Sequence, residues 1–249
     1  MIKFDFTGKV VLVTGASGSL GREISLQLCQ MGAEVILHYN SSNEEMNTLV
    51  CMLKAMQHKF DVIKADFENI EEVKKMVDYL NNNYKSIDIL INNAAINIEK
   101  FMIGTSESDF NKIMLVNVKA HYFIIKGIIR KMIFNKEGCI VNIISSIVKR
   151  SKKKETLYAA SKGSIEAITR VLAAEVGDYN IRVNAVSPGP FISKINPMNE
   201  VEKEIIKREN AIHKIVSVEE VANVILFLCS EYASGITGQN IFVDNGFSL

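Results

Sequence analysis

Cysteine is scarce in this chain, and what there is does not pair up. The 249 residues hold four, Cys29, Cys51, Cys139 and Cys229, with no C-x-x-C spacing. That pattern lacks the ligand spacing of a structural zinc site and the density of a disulfide scaffold. The four are expected as small reduced side chains, mostly buried. Histidine is equally sparse: His38, His58, His121 and His213 form no cluster, and none is assigned to chemistry. Net charge is nearly absent, with 29 basic and 28 acidic residues, so no global field draws the protein to nucleic acid or a membrane surface. No apolar run approaches the roughly 18 residues of a membrane helix. The first eight residues carry charge and lead toward a strand, unlike a secretory signal. These absences set the expectation of a cytoplasmic protein with neither a nucleic-acid nor a membrane partner.

What the chain does have is alternation. Short runs rich in Val, Ile and Leu are predicted as strands at 10–14, 35–39, 60–65, 87–91, 140–144, 182–187 and 241–243. Helical spacing is predicted between them at 19–31, 43–57, 70–82, 106–134, 158–176, 200–211 and 218–229. Strands separated by helices imply right-handed crossovers and a parallel sheet covered on both faces. The strands lack polar alternation, as double burial requires. The expected fold is therefore α/β, Rossmann-type and doubly wound, with a mostly parallel seven-stranded sheet in one domain spanning 1–249.

The first strand ends in Thr14-Gly15-Ala16-Ser17-Gly18-Ser19-Leu20-Gly21. A glycine-rich turn between strand and helix lets backbone N–H groups approach a pyrophosphate at a helix N-terminus; without a ligand it is only a tight turn. In dinucleotide folds an acid closing the second strand holds the ribose 2′-hydroxyl of NAD. Here that strand closes with His38-Tyr39-Asn40-Ser41-Ser42, which has no carboxylate and several hydrogen-bond donors. NADP(H) is accordingly the expected cofactor, with NAD(H) possible and Arg22 as a candidate second contact to the 2′-phosphate. Asp66, followed by Phe67, ends the third strand and either accepts from the adenine amino group or caps the next helix.

Tyr158 and Lys162 lie four apart, on one face of a predicted helix. An ammonium near a phenol favours phenolate and is expected to lower the tyrosine pKa, which suits a general acid or base. Ser145 stands thirteen residues upstream, at the C-terminal end of a strand, where ligands bind in open parallel sheets. Its hydroxyl can steady a substrate oxygen on which charge develops. Ser146 adjoins it; the spacing to Tyr158 and the position three after Asn142 favour Ser145.

Together the glycine-rich turn, Asn92-Asn93-Ala94, Asn117, the Ser145–Tyr158–Lys162 set, Pro188-Gly189 and the tail Val243-Asp244-Asn245-Gly246 resemble the short-chain dehydrogenase/reductase family, single-domain type, from Thr7 to the C-terminus. The 3-oxoacyl-carrier-protein reductases are the most similar subgroup. The resemblance implies that Tyr158 is the acid/base, that Lys162 also grips the nicotinamide ribose, that Ser145 orients the carbonyl and that Asn117 holds a proton-relaying water. It implies that Asn92, Asn93, Ala94 and Ala95 lie along the cofactor, and that the stretch 181–193, with Pro188, Gly189, Ile192 and Ser193, contacts the carboxamide. The turn departs from the family's usual T-G-x-x-x-G-x-G, with Gly at 18 and Ser at 19. Ala95 stands where glycine is usual. Asp178-Tyr179 stands where the subgroup often has a carrier-docking arginine, although Lys136 keeps a second basic position.

The leading expectation is an NADPH-dependent reductase of a carbonyl, such as a 3-oxoacyl thioester, free or carrier-bound. The alternatives are a dehydrogenase of a sugar or secondary-pathway alcohol and, in another class, a non-catalytic dinucleotide sensor. The run Lys149-Arg150-Ser151-Lys152-Lys153-Lys154 reads either as a solvated loop or as a landing site for an anionic substrate or carrier. The helix at 106–134 is apolar on more than one face, including Met114, Val116, Val118, Phe123, Ile124, Ile125, Ile128 and Ile129, which predicts a homo-oligomer, tetramer or dimer.

Overall fold

Central strands rich in Val, Ile and Leu cannot keep a wet face, and the computed structural model, which describes residues 4–193 and 197–249, buries both faces of them. Seven strands run parallel: β1 (Val10–Val13), β2 (Glu34–Tyr39), β3 (Phe60–Lys64), β4 (Ile89–Asn92), β5 (Gly138–Ile143), β6 (Ile181–Pro188) and β7 (Asn240–Val243). Their spatial order is β3-β2-β1-β4-β5-β6-β7. Alternate residues serve opposite layers. Val11 and Val13 of β1 join the core under α1 (Ser19–Gln30), α2 (Asn43–Ala55) and α8 (Val218–Cys229). Leu12 joins the core under α3 (Ile70–Asn83), α5 (His121–Asn135) and α6 (Thr156–Val176). The winding direction reverses between β1 and β4, which opens a crevice at their C-terminal ends. A short helix, α7 (Glu200–Glu209), precedes α8. No helix among the described residues is long and apolar enough to cross a membrane.

The strand expectations hold to within a residue or two at each end, as do most of the helices. The long helix expected at 106–134 does not run unbroken. It divides into α4 (Glu107–Met114), a π-helical turn (Leu115–Ala120) and α5. The cause lies in Asn117, whose side chain is buried inside that turn. Its Oδ1 accepts from the Ile96 N–H at 2.9 Å, and its Nδ2 donates to the Ile96 carbonyl at 2.9 Å and to Ser161 Oγ at 3.1 Å. A side chain fastened to two other segments widens the turn that carries it. The face beyond the core is only partly covered: Met114, Val118, Phe123 and Ile129 are half-buried, and Phe110, Tyr122 and Phe134 are exposed.

A polar strut crosses the middle of the sheet. Asn92 Nδ2 donates to Asn142 Oδ1 at 2.8 Å, and Asn142 Nδ2 donates to Thr169 Oγ1 at 2.9 Å. Thr169 Oγ1 in turn donates to the Ile165 carbonyl at 2.8 Å. The strut ties β4, β5 and α6 together directly beneath the ends of the strands.

His38 ties the other side. Its Nδ1 accepts from the Gly15 N–H at 3.2 Å, so Nε2 carries the proton and donates to the Ala65 carbonyl at 3.0 Å. The ring stacks on Phe67 at 4.1 Å. One neutral tautomer satisfies both contacts, and burial pulls the pKa from 6.5 to about 4. The folded protein therefore binds this proton less readily than the unfolded chain. The associated stability is whole above about pH 6.5 and drains as pH falls toward 4. His121, lowered to about 3 by burial, pulls the same way. We expect the urea midpoint to fall over this range in wild type. The fall should be shallower in His38→Gln, which keeps a donor and an acceptor but cannot charge. Identical pH slopes for the two proteins would show that His38 is not part of the linkage.

Candidate active site

Two cavities open at the C-terminal edge of the sheet. The first is the crevice between β1 and β4. The chain leaves β1 through Gly15, whose φ of +65° favours glycine, and a Cβ there would sit 2.9 Å from the Ala94 Cα. A Cβ on Gly21 would lie 2.3 Å from the Gly15 carbonyl oxygen. Both positions need hydrogen in place of a side chain. Gly18 stands at the N-cap of α1 with no side-chain cap, so the first-turn N–H groups are left to whatever occupies the crevice. Uncapped donors on a glycine cradle fit a pyrophosphate.

Most residues expected here line this crevice: Gly15, Ser17, Gly18, Ser19, Leu20, Asn40, Ser41, Ser42, Asp66, Phe67, Asn93, Ala94, Ala95 and Ser193. Others do not. Tyr39 packs its ring against the core beneath α1 and α2, with Lys64 Nζ 6.0 Å from its centre. Asn92 turns inward to Asn142. Pro188 is buried, and Gly189 packs against the chain after β7, where a Cβ would meet Asp244 at 2.7 Å. Ile192 is half exposed and does not line the crevice. Arg22 donates to Met52 Sδ at 3.1 Å and does not line the crevice. Asp66 does not cap α3; Asn69 does, accepting from the Glu71 N–H at 3.1 Å. The Asp66 carboxylate instead accepts from Asn40 Nδ2 at 3.1 Å and from the Glu68 N–H at 2.9 Å.

His38 also lines the crevice, and sequence reasoning passed over it. A lone histidine inside a strand gives no signal. Its partner Gly15 lies 23 residues away, and only the fold brings the two together.

The second cavity, about 460 Å³, is walled by Ser145, Tyr158, Gly189, Ile205, Ile206 and Phe247, among others. Ser145 lies two residues past the end of β5, in extended backbone, and its Oγ accepts from the Ile147 N–H at 3.3 Å. Ser145 and Ser146 both line this cavity, Ser146 the more buried, and it is the Ser145 side chain that holds back the rise of the Tyr158 pKa. Tyr158 lies in the first turn of α6. One turn on, Lys162 is 1% exposed; its Nζ donates to the Ile143 carbonyl at 2.8 Å and sits 5.6 Å from the centre of the Tyr158 ring.

The electrostatics reverse one expectation. Lys162 does not drag the Tyr158 pKa down. Burial raises it well above 10, the negative charge of Glu155 raises it further, and the Ser145 side chain only partly opposes them. Burial also pulls Lys162 down to about 7. In a dry site desolvation penalises phenolate and ammonium alike, and here it outweighs their attraction. Asn117 is close by, but its side-chain hydrogen bonds go to Ile96 and Ser161, not to Lys162.

Most of the basic run at 149–154 is exposed, but its cations are not without neighbours. Lys149 lies 5.4 Å from the centre of the Phe242 ring and Lys154 lies 5.5 Å from that of Phe101. Arg150 stacks on Phe247 at 3.9 Å and pairs with Glu209 at 3.1 Å. Lys152 stands 3.3 Å from both Glu99 and Glu155. Four of the five cations thus already have a ring or a carboxylate.

Comparison with known proteins agrees with this geometry. A family model described as enoyl-(acyl carrier protein) reductase matches residues 15–248. A 3-oxoacyl-[acyl-carrier-protein] reductase from Thermotoga maritima is 36% identical over 247 residues, covering 97% of this chain and 98% of the relative. A short-chain dehydrogenase/reductase from Serratia marcescens superposes with a TM-score of 0.92 at 28% identity, covering 98% and 99% of the two chains. A short-chain dehydrogenase from Burkholderia cenocepacia, solved in complex with NADP, superposes with a TM-score of 0.90, with the same identity and coverage. The chain is an oxidoreductase and belongs to the short-chain dehydrogenase/reductase family.

Proposed function

We propose that the protein reduces a ketone to an alcohol with NADPH, and that a 3-oxoacyl thioester or a similar carbonyl is its substrate. The observation that carries this reading is that Ser145 and Tyr158 line one cavity, with Lys162 Nζ buried 5.6 Å from the centre of the phenol ring, in a chain whose glycine cradle lines a second crevice. The nicotinamide, when bound, supplies the hydride. Ser145 Oγ donates to the substrate oxygen and fixes its direction. Tyr158 then gives its proton to that oxygen as charge develops there. A phenol held well above its ordinary pKa starts this step protonated, which suits the reductive direction. Lys162, with a pKa near neutrality, stabilises the phenolate left behind and passes a proton back. Asn117 is a positioning residue: it fastens the segment after β4 to α6 and keeps Lys162 and Tyr158 in place.

The NADPH preference rests on Ser41 and Ser42, which line the crevice where many relatives of the fold place an acid. Ser42 makes no capping hydrogen bond of its own at the start of α2, so its hydroxyl is free for a phosphate. The similarity to 3-oxoacyl-[acyl-carrier-protein] reductases over nearly the whole chain supports the thioester. The reading includes a homo-oligomer, dimer or tetramer, built on the uncovered apolar side chains of α4, α5 and α6, Phe110, Tyr122, Phe134 and Val171.

Three measurements test the reading. With 3-oxobutanoyl thioesters and NADPH, followed by cofactor absorbance, Tyr158→Phe should lower kcat at least about a hundredfold while NADPH fluorescence still reports binding. Turnover near wild type would remove Tyr158 from the acid's role. The wild-type kcat/KM should favour NADPH over NADH by about tenfold or more, and Asn40→Asp should move the ratio toward NADH by setting a carboxylate against the 2′-phosphate. A preference for NADH in wild type contradicts the assignment of Ser41 and Ser42. Light scattering at micromolar concentration should give at least twice the mass of one chain, and a monomer would refute the oligomer.

A further inference from the structure

The far end of the sheet carries chemistry that the reductase reading leaves unused. A cavity of about 420 Å³ opens there, where β1, β4, β5 and β6 begin. Cys139 of β5 stands in register with Arg182 of β6, which sends both side chains toward the layer that α8 covers. Cys229 is the last residue of α8. Both cysteines line the cavity, at 4% and 7% exposure. Cys139 Sγ donates to the Leu228 carbonyl at 3.4 Å, which sets it against the residue bonded to Cys229. The same carbonyl accepts from the Arg182 guanidinium at 2.6 Å, and the Ser230 carbonyl accepts from it at 3.1 Å. Arg182 is therefore fixed across the end of α8, held by the residues on either side of Cys229. One guanidinium and two thiols, drawn from three elements, converge on one opening.

A thiol attacks as its thiolate, and a neighbouring cation favours that form. The two sulfurs are prepared differently. The Cys229 side chain first, and Arg182 against the effect of burial, hold Cys139 below its ordinary range. The Cys139 side chain and burial push Cys229 well above it. The remaining cysteines lack this arrangement. Burial alone raises Cys29 to about 12, and Cys51 is exposed on α2.

We propose that Cys139 and Cys229 form an oxidation site that reacts with a small neutral hydroperoxide and closes to a reversible disulfide. The Cys139 thiolate attacks the terminal peroxide oxygen. The S–O bond forms, the O–O bond breaks, and the departing oxygen takes up the proton that the thiol released, leaving as water or an alcohol. Cys139 is then a sulfenic acid. The Cys229 sulfur attacks Cys139 Sγ; the S–S bond forms, the S–O bond breaks, and the hydroxide leaves with the Cys229 proton as water. The peroxide gains two electrons and the dithiol loses two. The cavity also selects the oxidant. The carboxylates of Asp5, Asp88, Glu137 and Glu231 outnumber the cations of Lys9 and Arg182 on its walls, so an anionic reagent is repelled and a neutral peroxide is not.

The test uses the full chain as Cys51→Ser, which leaves Cys29, Cys139 and Cys229. The reduced protein is treated with hydrogen peroxide, quenched and denatured. The intact mass should fall by about 2 Da as two hydrogens are lost. Only the Cys29 thiol should still titrate, and peptide mapping should show Cys139 linked to Cys229. Dithiothreitol should reverse the change. The linked protein should unfold at higher urea, because a bridge between residues so far apart in sequence constrains the unfolded chain. With Cys229→Ser added, Cys139 should stop at the sulfenic acid and be captured by dimedone. Oxidised glutathione, an anion, should leave both thiols free. Thiols at Cys139 and Cys229 that survive peroxide, oxidation to sulfinic acid without a link, or a link that forms only in urea would each overturn the assignment. A mixed disulfide with glutathione at either position overturns the selection of a neutral oxidant. No readout requires turnover, so the outcome is independent of the reductase reading.

Discussion

The site depends on how closely two strand ends approach each other. Thr14 Oγ1 accepts from the N–H groups of Asn93 and Ala94 at 2.9 and 3.0 Å, and Asn93 Nδ2 returns bonds to the carbonyls of Thr14 and Gly15 at 2.9 and 3.1 Å. These contacts draw the chain after β4 against the turn after β1 until no space remains for a Cβ on Gly15 or Gly21. The glycines are therefore required twice over, by positive φ at Gly15 and by a neighbour's backbone at both. With that junction closed, the N-terminus of α1 faces the crevice and His38 can seat itself against Gly15.

At the chemistry end the governing effect is dehydration. Tyr158 and Lys162 are brought together on one helix, and both are pushed toward their neutral forms. A small structural change that admits or excludes water would move both groups at once. This couples the shape of the cavity to the proton inventory more tightly than a surface pair would allow.

Much of this was legible in the amino-acid sequence. Strand runs and helical spacing are local, and they survive in the structure within a residue or two. The glycine turn and the Ser145–Tyr158–Lys162 spacing are local too. What was hidden is what depends on distant partners. The π turn at Leu115–Ala120 leaves the apolar period of its neighbours intact, so only the Asn117–Ile96 and Asn117–Ser161 bonds reveal it. Tyr39 ends a strand next to the crevice, but β alternation sends its ring to the core. The basic run reads as open charge because Glu99, Glu209, Phe101, Phe242 and Phe247 come from far along the chain. The opposing pKa shifts could not be read at all, since burial is a property of the fold.

The strut from Asn92 through Asn142 to Thr169 bears on a different problem. In a sheet covered on both faces, apolar strands carry little information about their own alignment, because sliding one past another by a residue exchanges one greasy side chain for the next. Asn92 and Asn142 remove that degeneracy. If β5 slid one step against β4, an amide would be stranded among hydrocarbon, and Asn142 would lose Thr169 as well. Ser145 lies three residues past Asn142 on the same chain, so the strut works like a vernier mark: it turns an ambiguous alignment into a fixed position for Ser145 in the cavity wall it shares with Tyr158.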